Sequence, residues 1–195
     1  MAIGAISSCL EQCLPELRPG HLKITLYPHS ESQFPLMLQQ IEQLCKDTDG
    51  RYATDAELMF FQDYLKTARL RFTLYQKLQK LEPQIVQQVL QQLRDKDPTL
   101  LKIGDTELTA KWQRDTIRLL RYAATALLSD DPQIFKDCML IWFQTIMKSF
   151  KAERSCEATY QIMQSVVKAA LTPDEAALFC PLLEMSRASL GTTAQ

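Results

Sequence analysis

Glycine is scarce, with five residues in a chain of 195. That scarcity excludes Gly-rich phosphate loops and argues against a turn-rich all-β fold. Histidine is rarer, with only His21 and His29. Both precede the stretch that reads as helical, so neither a haem-type axial ligand nor a buried imidazole base is expected in a bundle. Excess positive charge is missing too. Lysine and arginine number 22 against 23 acidic residues, a net charge of −1, which gives a polyanion such as nucleic acid nothing to hold. No apolar run approaches the roughly 20 residues that span a bilayer. The first 30 residues have no basic start followed by an apolar stretch and are not Arg-rich, so neither a secretory signal nor a transit peptide is expected. There is no nucleophile elbow, P-loop or H-E-x-x-H, and an enzyme is not expected.

What is present is ordinary globular composition, 46% hydrophobic and 23% charged. The six cysteines (Cys9, Cys13, Cys45, Cys138, Cys156, Cys180) include no C-x-x-C and read as free thiols of a reducing cytoplasm. Cys9, Cys13, His21 and His29 match no common zinc spacing, so no metal site is expected. Residues 1–33 differ from the rest: Pro15, Pro19 and Pro28, both histidines and a weakly alternating HLKITLYP make them an N-terminal arm. Residues 34–195 read as one domain.

From Phe34 the pattern is helical throughout. Leu38, Ile41 and Cys45 share one face of a helix over 35–46. Thr54-x-x-Glu57 is a capping box opening a helix that runs to about Leu81, and Pro83 restarts one at its first turn. A further helix is expected over 106–128, capped by Asp105 or Thr106. Another covers 132–150 after the cap and N1 proline of SDDP, and one more begins at Ser155. Thr172-Pro-Asp-Glu175 is a second capping box, and Gly191 suits a left-handed position past the last helix. About seven helices with short connections predict an all-α bundle.

The order of these helices and certain residues resemble the phycobiliproteins, the light-harvesting subunits of the phycobilisome. RYATDAEL (51–58) is similar to the family's arginine-tyrosine pair and first globin-like helix. TAKWQRDTIRLLRYA (109–123) is similar to its chromophore helix, SDDPQIFKD to the loop and helix after it, and KAALTPDEAALF to the turn into the last helix. The resemblance covers roughly residues 35–190. It implies a globin-like bundle with two N-terminal helical extensions that reach a partner subunit. In the family a cysteine on the chromophore helix forms a thioether to an open-chain tetrapyrrole, an arginine two residues on pairs with a propionate, and the next residue, an aspartate, accepts from pyrrole nitrogens. Here Arg114 and Asp115 match, while Trp112 stands where the cysteine should be. An indole forms no thioether, so no covalently attached cofactor is expected at that position. A noncovalently held bilin on Trp112, Arg114 and Asp115 stays open, as does the plainer reading of Arg114–Asp115 as a surface charge pair.

The resemblance also implies a pairing surface. An aspartate of the family's N-terminal segment meets an arginine of the chromophore helix across the subunit boundary; Asp47 and Arg121 occupy those places. The segment carrying Phe34, Leu38 and Ile41 is apolar enough to need a second surface. The expected function is that of a phycobiliprotein-like interaction protein without covalent pigment, acting in phycobilisome or photosynthetic-complex assembly, docking, turnover or regulation. Its partner would be a phycobilisome or photosystem component, met as a homo- or heterodimer through the N-terminal helices. Its location would be cytoplasmic or peripheral at the cytoplasmic thylakoid face. The other readings are a noncovalent bilin carrier or chaperone and a globin-like stress-sensor domain.

Overall fold

The computed structural model describes residues 37–191. The N-terminal arm, Phe34, and the Cys9, Cys13, His21 and His29 group lie outside the described residues. Seven α-helices account for most of what is described: α1 (Met37–Asp47), α2 (Met59–Lys96), α3 (Thr109–Ser129), α4 (Pro132–Phe135), α5 (Ile141–Ser149), α6 (Glu153–Ala170) and α7 (Pro173–Leu190). Of the two N-terminal extensions expected, α1 is the one described; Leu38 and Ile41 both fall on it.

The core forms where α2, α3, α6 and α7 pack together. Leu74, Leu78, Val89, Leu119, Phe135, Met163 and Phe179 are among its fully buried side chains. Ala123, Ala124 and Ala126 are buried on α3, where short side chains let neighbouring helices approach closely. Arg71 is buried as well and is fully employed. It donates to the Thr67 hydroxyl at 2.9 Å and the Leu127 carbonyl at 2.8 Å, and pairs with Asp130 at 2.7 Å. It thus satisfies the carboxyl end of α3, where Asp130 turns left-handed at φ 52°.

Local signals hold where the chemistry is local. Thr172 and Glu175 make the reciprocal bonds of a capping box, and Asp131 accepts from the Ile134 amide at 3.1 Å with Pro132 behind it. Thr54 and Glu57 also bond reciprocally, though regular α2 begins only at Met59.

Four expectations are corrected. Pro83 does not restart a helix; it lies inside the continuous 38-residue α2. Leu74 and Leu78 before it, and Ile85, Val86 and Val89 after it, are buried on the same core. That burial outweighs the roughly 3 kcal/mol an interior proline costs. The helix expected from residue 106 begins instead at Thr109, and neither Asp105 nor Thr106 caps it. Residues 102–107 form an antiparallel hairpin, β1 (Lys102–Ile103) with β2 (Thr106–Glu107), turning at Gly104 with φ 58°. The 132–150 helix is interrupted by a π turn at Lys136–Leu140. Gly191 is extended (φ −79°, ψ −177°) and not left-handed. Glycine is needed there for close approach, since a Cβ would sit 2.2 Å from Glu157 Oε2 and 2.6 Å from the Arg187 carbonyl.

Glu175 joins two of these devices. It completes the α7 cap and accepts from Lys77 of α2 at 2.7 Å. The Lys77 ammonium and the Thr172 amide hold its carboxyl below the ordinary glutamate value of 4.5. A depressed folded-state value contributes stability that is complete above about pH 4.5 and fades as the pH falls. Lys77→Met should therefore flatten the acid limb of stability below that pH in urea titrations. Thr172→Ala should cost about 1 kcal/mol at neutral pH.

Candidate functional site

One residue pattern on α3 and one on α6 meet across a cavity. Trp112, Asp115 and Thr116 follow i, i+3, i+4 spacing on α3, and Cys156, Thr159 and Tyr160 repeat it on α6. All six line a cavity of about 220 Å³. The Trp112 indole N–H donates to the Thr159 hydroxyl at 2.9 Å and ties the two helices together. Apolar walls come from Leu101, Leu108, Phe143, Met147 and Phe150. The hairpin strand at Lys102 and the α5–α6 turn, where Lys151 is left-handed at φ 53°, add cations at its mouth.

Among the described residues no fully buried side-chain nitrogen or oxygen lacks a hydrogen-bond partner. Thr116 and Tyr160 are 3% and 2% exposed, and their hydroxyls, which bond to no described residue, keep a little contact with the cavity space. The same holds for the half-buried carboxyl of Asp115. Desolvation pushes that carboxyl above its ordinary value, against the pull of Lys111, Arg114 and Arg118. Burial and the Asp115 charge raise the Tyr160 phenol well above its usual range. Cys156 is held inert by the same setting: burial, with Glu153 and Asp115 nearby, pushes its thiol up to about 12.

The matched pair on the chromophore-like helix is thus divided. Asp115 lines the cavity, whereas Arg114 is exposed and is not among the lining residues. Arg121 of α3 is engaged within the chain, donating to both carboxylate oxygens of Glu82 on α2 at 2.7 Å. Asp47 accepts from Gln43 at 2.7 Å, and its carbonyl accepts from Arg51. Ile41 is half-buried on α1. Thr116, Cys156, Thr159 and Tyr160 were missed as site residues. The signal was there: polar side chains recur at i, i+3, i+4 on an otherwise apolar α6 stripe.

A second surface lies at the start of α2. No residue between Met59 and Leu70 is buried, and Met59, Leu65 and Phe72 are more than half exposed. Leu58, Leu65 and Phe72 recur every seven residues, the spacing of one helix face. Among the described residues, no helix is long and apolar enough to cross a membrane, and no group of side chains could hold a metal ion.

Native alkylation should separate the described thiols by accessibility. Iodoacetamide should label exposed Cys45 and Cys138 within minutes and leave Cys156 and Cys180 unmodified until denaturant is added, as read by peptide mass spectrometry.

A family model described as Phycobilisome protein matches residues 43–190. No curated protein matches the chain.

Proposed function

Because the chain belongs to the phycobilisome protein family, whose fold is a globin-like all-α bundle, we propose that it works by protein contact in a phycobilisome setting and carries no bilin. The observation that carries this reading is the Trp112 indole. The resemblance assigns that residue to the attachment position, and the indole is held by Thr159 inside a cavity of about 220 Å³. Pockets for drug-sized ligands run about 300–1,000 Å³. A four-ring linear tetrapyrrole needs a pocket within that range, so a cavity of about 220 Å³ does not hold it. Cys156, the thiol that shares the cavity, is protonated and a poor nucleophile for a tether at that wall. Asp115 alone favours the noncovalent carrier reading, and the volume opposes it.

Assembly would use α1 and the exposed start of α2. Apolar side chains at Tyr52, Met59, Leu65 and Phe72 that stay uncovered in one chain are what a pairing surface supplies. The Arg121 side chain is largely exposed beside Glu82, so its outer face is open to a carboxylate of a partner, as Asp47 of a second copy would provide. The partner is a phycobilisome or photosystem component, and the location is cytoplasmic or peripheral at the thylakoid surface. The contact serves assembly, docking, turnover or regulation.

Co-expression with bilin-synthesis enzymes should yield a colourless protein, with no visible absorbance and no zinc-enhanced fluorescence on denaturing gels. A bilin spectrum that Asp115→Ala abolishes would replace this reading with the carrier. Affinity purification from native cells should recover antenna or photosystem subunits; only ribosomal and metabolic proteins would defeat it. Leu65→Glu with Phe72→Glu should reduce that recovery at least about tenfold with thermal stability within about 0.5 kcal/mol of the parent, since both side chains are exposed.

A further inference from the structure

The second half of α2 carries an exposed face of a single chemistry. Gln84, Gln87, Gln88 and Gln91 follow i, i+3, i+4, i+7 spacing, and all of them are exposed. Ile85, Val86, Val89 and Leu90 between them are buried on the opposite side. No side chain from 83 to 93 is charged, in a chain whose composition is 23% charged. The outer face of a bundle helix ordinarily carries charges, and those keep copies of a protein apart. That restraint is missing here.

Amides have a specific complement. A glutamine side chain offers two N–H donors and a carbonyl acceptor, so a row of amides matches another row of amides. Gln84, Gln87 and Gln88 bond to no described residue, and Gln91 donates to Asp95 at 3.0 Å. A second copy of this chain presents the same row. Identical chains close into a pair about a two-fold axis, where residue i meets j and j meets i. An axis crossing α2 between Gln87 and Gln88 runs the two helices antiparallel. It sets Gln84 opposite the second copy's Gln91, and Gln87 opposite its Gln88.

Charge at the ends of the row selects that register. Lys80 and Asp95 stand four residues beyond Gln84 and Gln91, on the same face. Both are exposed, and neither forms an ion pair with a described residue. The same axis brings Lys80 of each copy to Asp95 of the other, so opposite charges close both ends. Parallel helices would set Lys80 on Lys80 and Asp95 on Asp95. A slip of one turn loses both pairs.

We infer that this amide face pairs two copies of the chain, α2 against α2, antiparallel and in that register. From Lys80 to Asp95 the face spans about 22 Å at about 1.5 Å per residue. One helix pair of that length buries less than the roughly 1,200 Å² of a standard interface, so the pair is weak and reversible. The face is separate from the apolar start of α2 and does not rest on the phycobilisome reading. A protein that recovers antenna subunits yet never pairs through this face defeats this inference alone.

Sedimentation equilibrium of the full chain tests it. Leu65→Glu with Phe72→Glu, used as background, takes the apolar face out of the measurement. That chain should show a reversible monomer–dimer equilibrium with a Kd below about 1 mM. Lys80→Glu or Asp95→Lys alone sets like charges at both ends and should weaken pairing at least about fivefold. The two exchanges together restore opposite charges and should pair at least about threefold more tightly than either alone, a rescue that a merely structural role would not give. A chain that stays monomeric at about 1 mM overturns the inference. So does a single exchange that weakens pairing by less than about fivefold, or a double exchange that regains less than about threefold. Should the background variant fail to fold, the same comparison in the unsubstituted chain decides the matter.

Discussion

The Trp112 indole is the constraint around which the site is organised. It is large and half-buried, and its single donor must find an acceptor, which Thr159 supplies from the facing helix. That one bond fixes the spacing of α3 and α6 and fills space that a longer ligand would need. It also leaves the remaining volume lined by Asp115, Thr116 and Tyr160.

Much of the fold was legible because its signals are local. A capping box depends on four consecutive residues; the one at Thr172 forms as read, and the one at Thr54 makes its bonds but does not open α2, which begins at Met59. The expectations that failed depended on distant contacts. Pro83 is a helix breaker by propensity, yet α3, α6 and α7 pack on both sides of it and carry the helix through. Gly191 has the position of a left-handed cap, but its neighbour Glu157 lies 34 residues away and only the folded chain brings it close. The cavity was half-legible. Asp115 follows from the resemblance of its helix, while Cys156, Thr159 and Tyr160 show only as polar residues at i, i+3, i+4 on α6, and that they face Thr116 depends on how α3 and α6 come together.

The two surfaces of the molecule differ in character. The cavity opens at one side of the bundle and is lined by side chains of α3, α5 and α6. The start of α2 projects apolar side chains that nothing among the described residues covers, anchored by the Tyr64 hydroxyl donating to the Leu128 carbonyl at 3.0 Å. Arg121 and Glu82 clamp α2 to α3 between these regions, at the residue just before Pro83. The clamp fixes the long helix where its own ladder of hydrogen bonds is interrupted. The exposed end is thereby aimed by the same framework that shapes the cavity.

The π turn at Lys136–Leu140 sets the azimuth of everything after it. Each residue of an α-helix advances the chain by about 100° around the axis, so widening one turn re-clocks the next helix by a large fraction of a revolution. In this phase Phe143 and Met147 close the cavity and Ile141 looks outward. Were that segment to relax to ordinary α geometry, the apolar stripe of α5 would swing off the bundle. The phase set by this turn is therefore what gives the cavity one of its apolar walls.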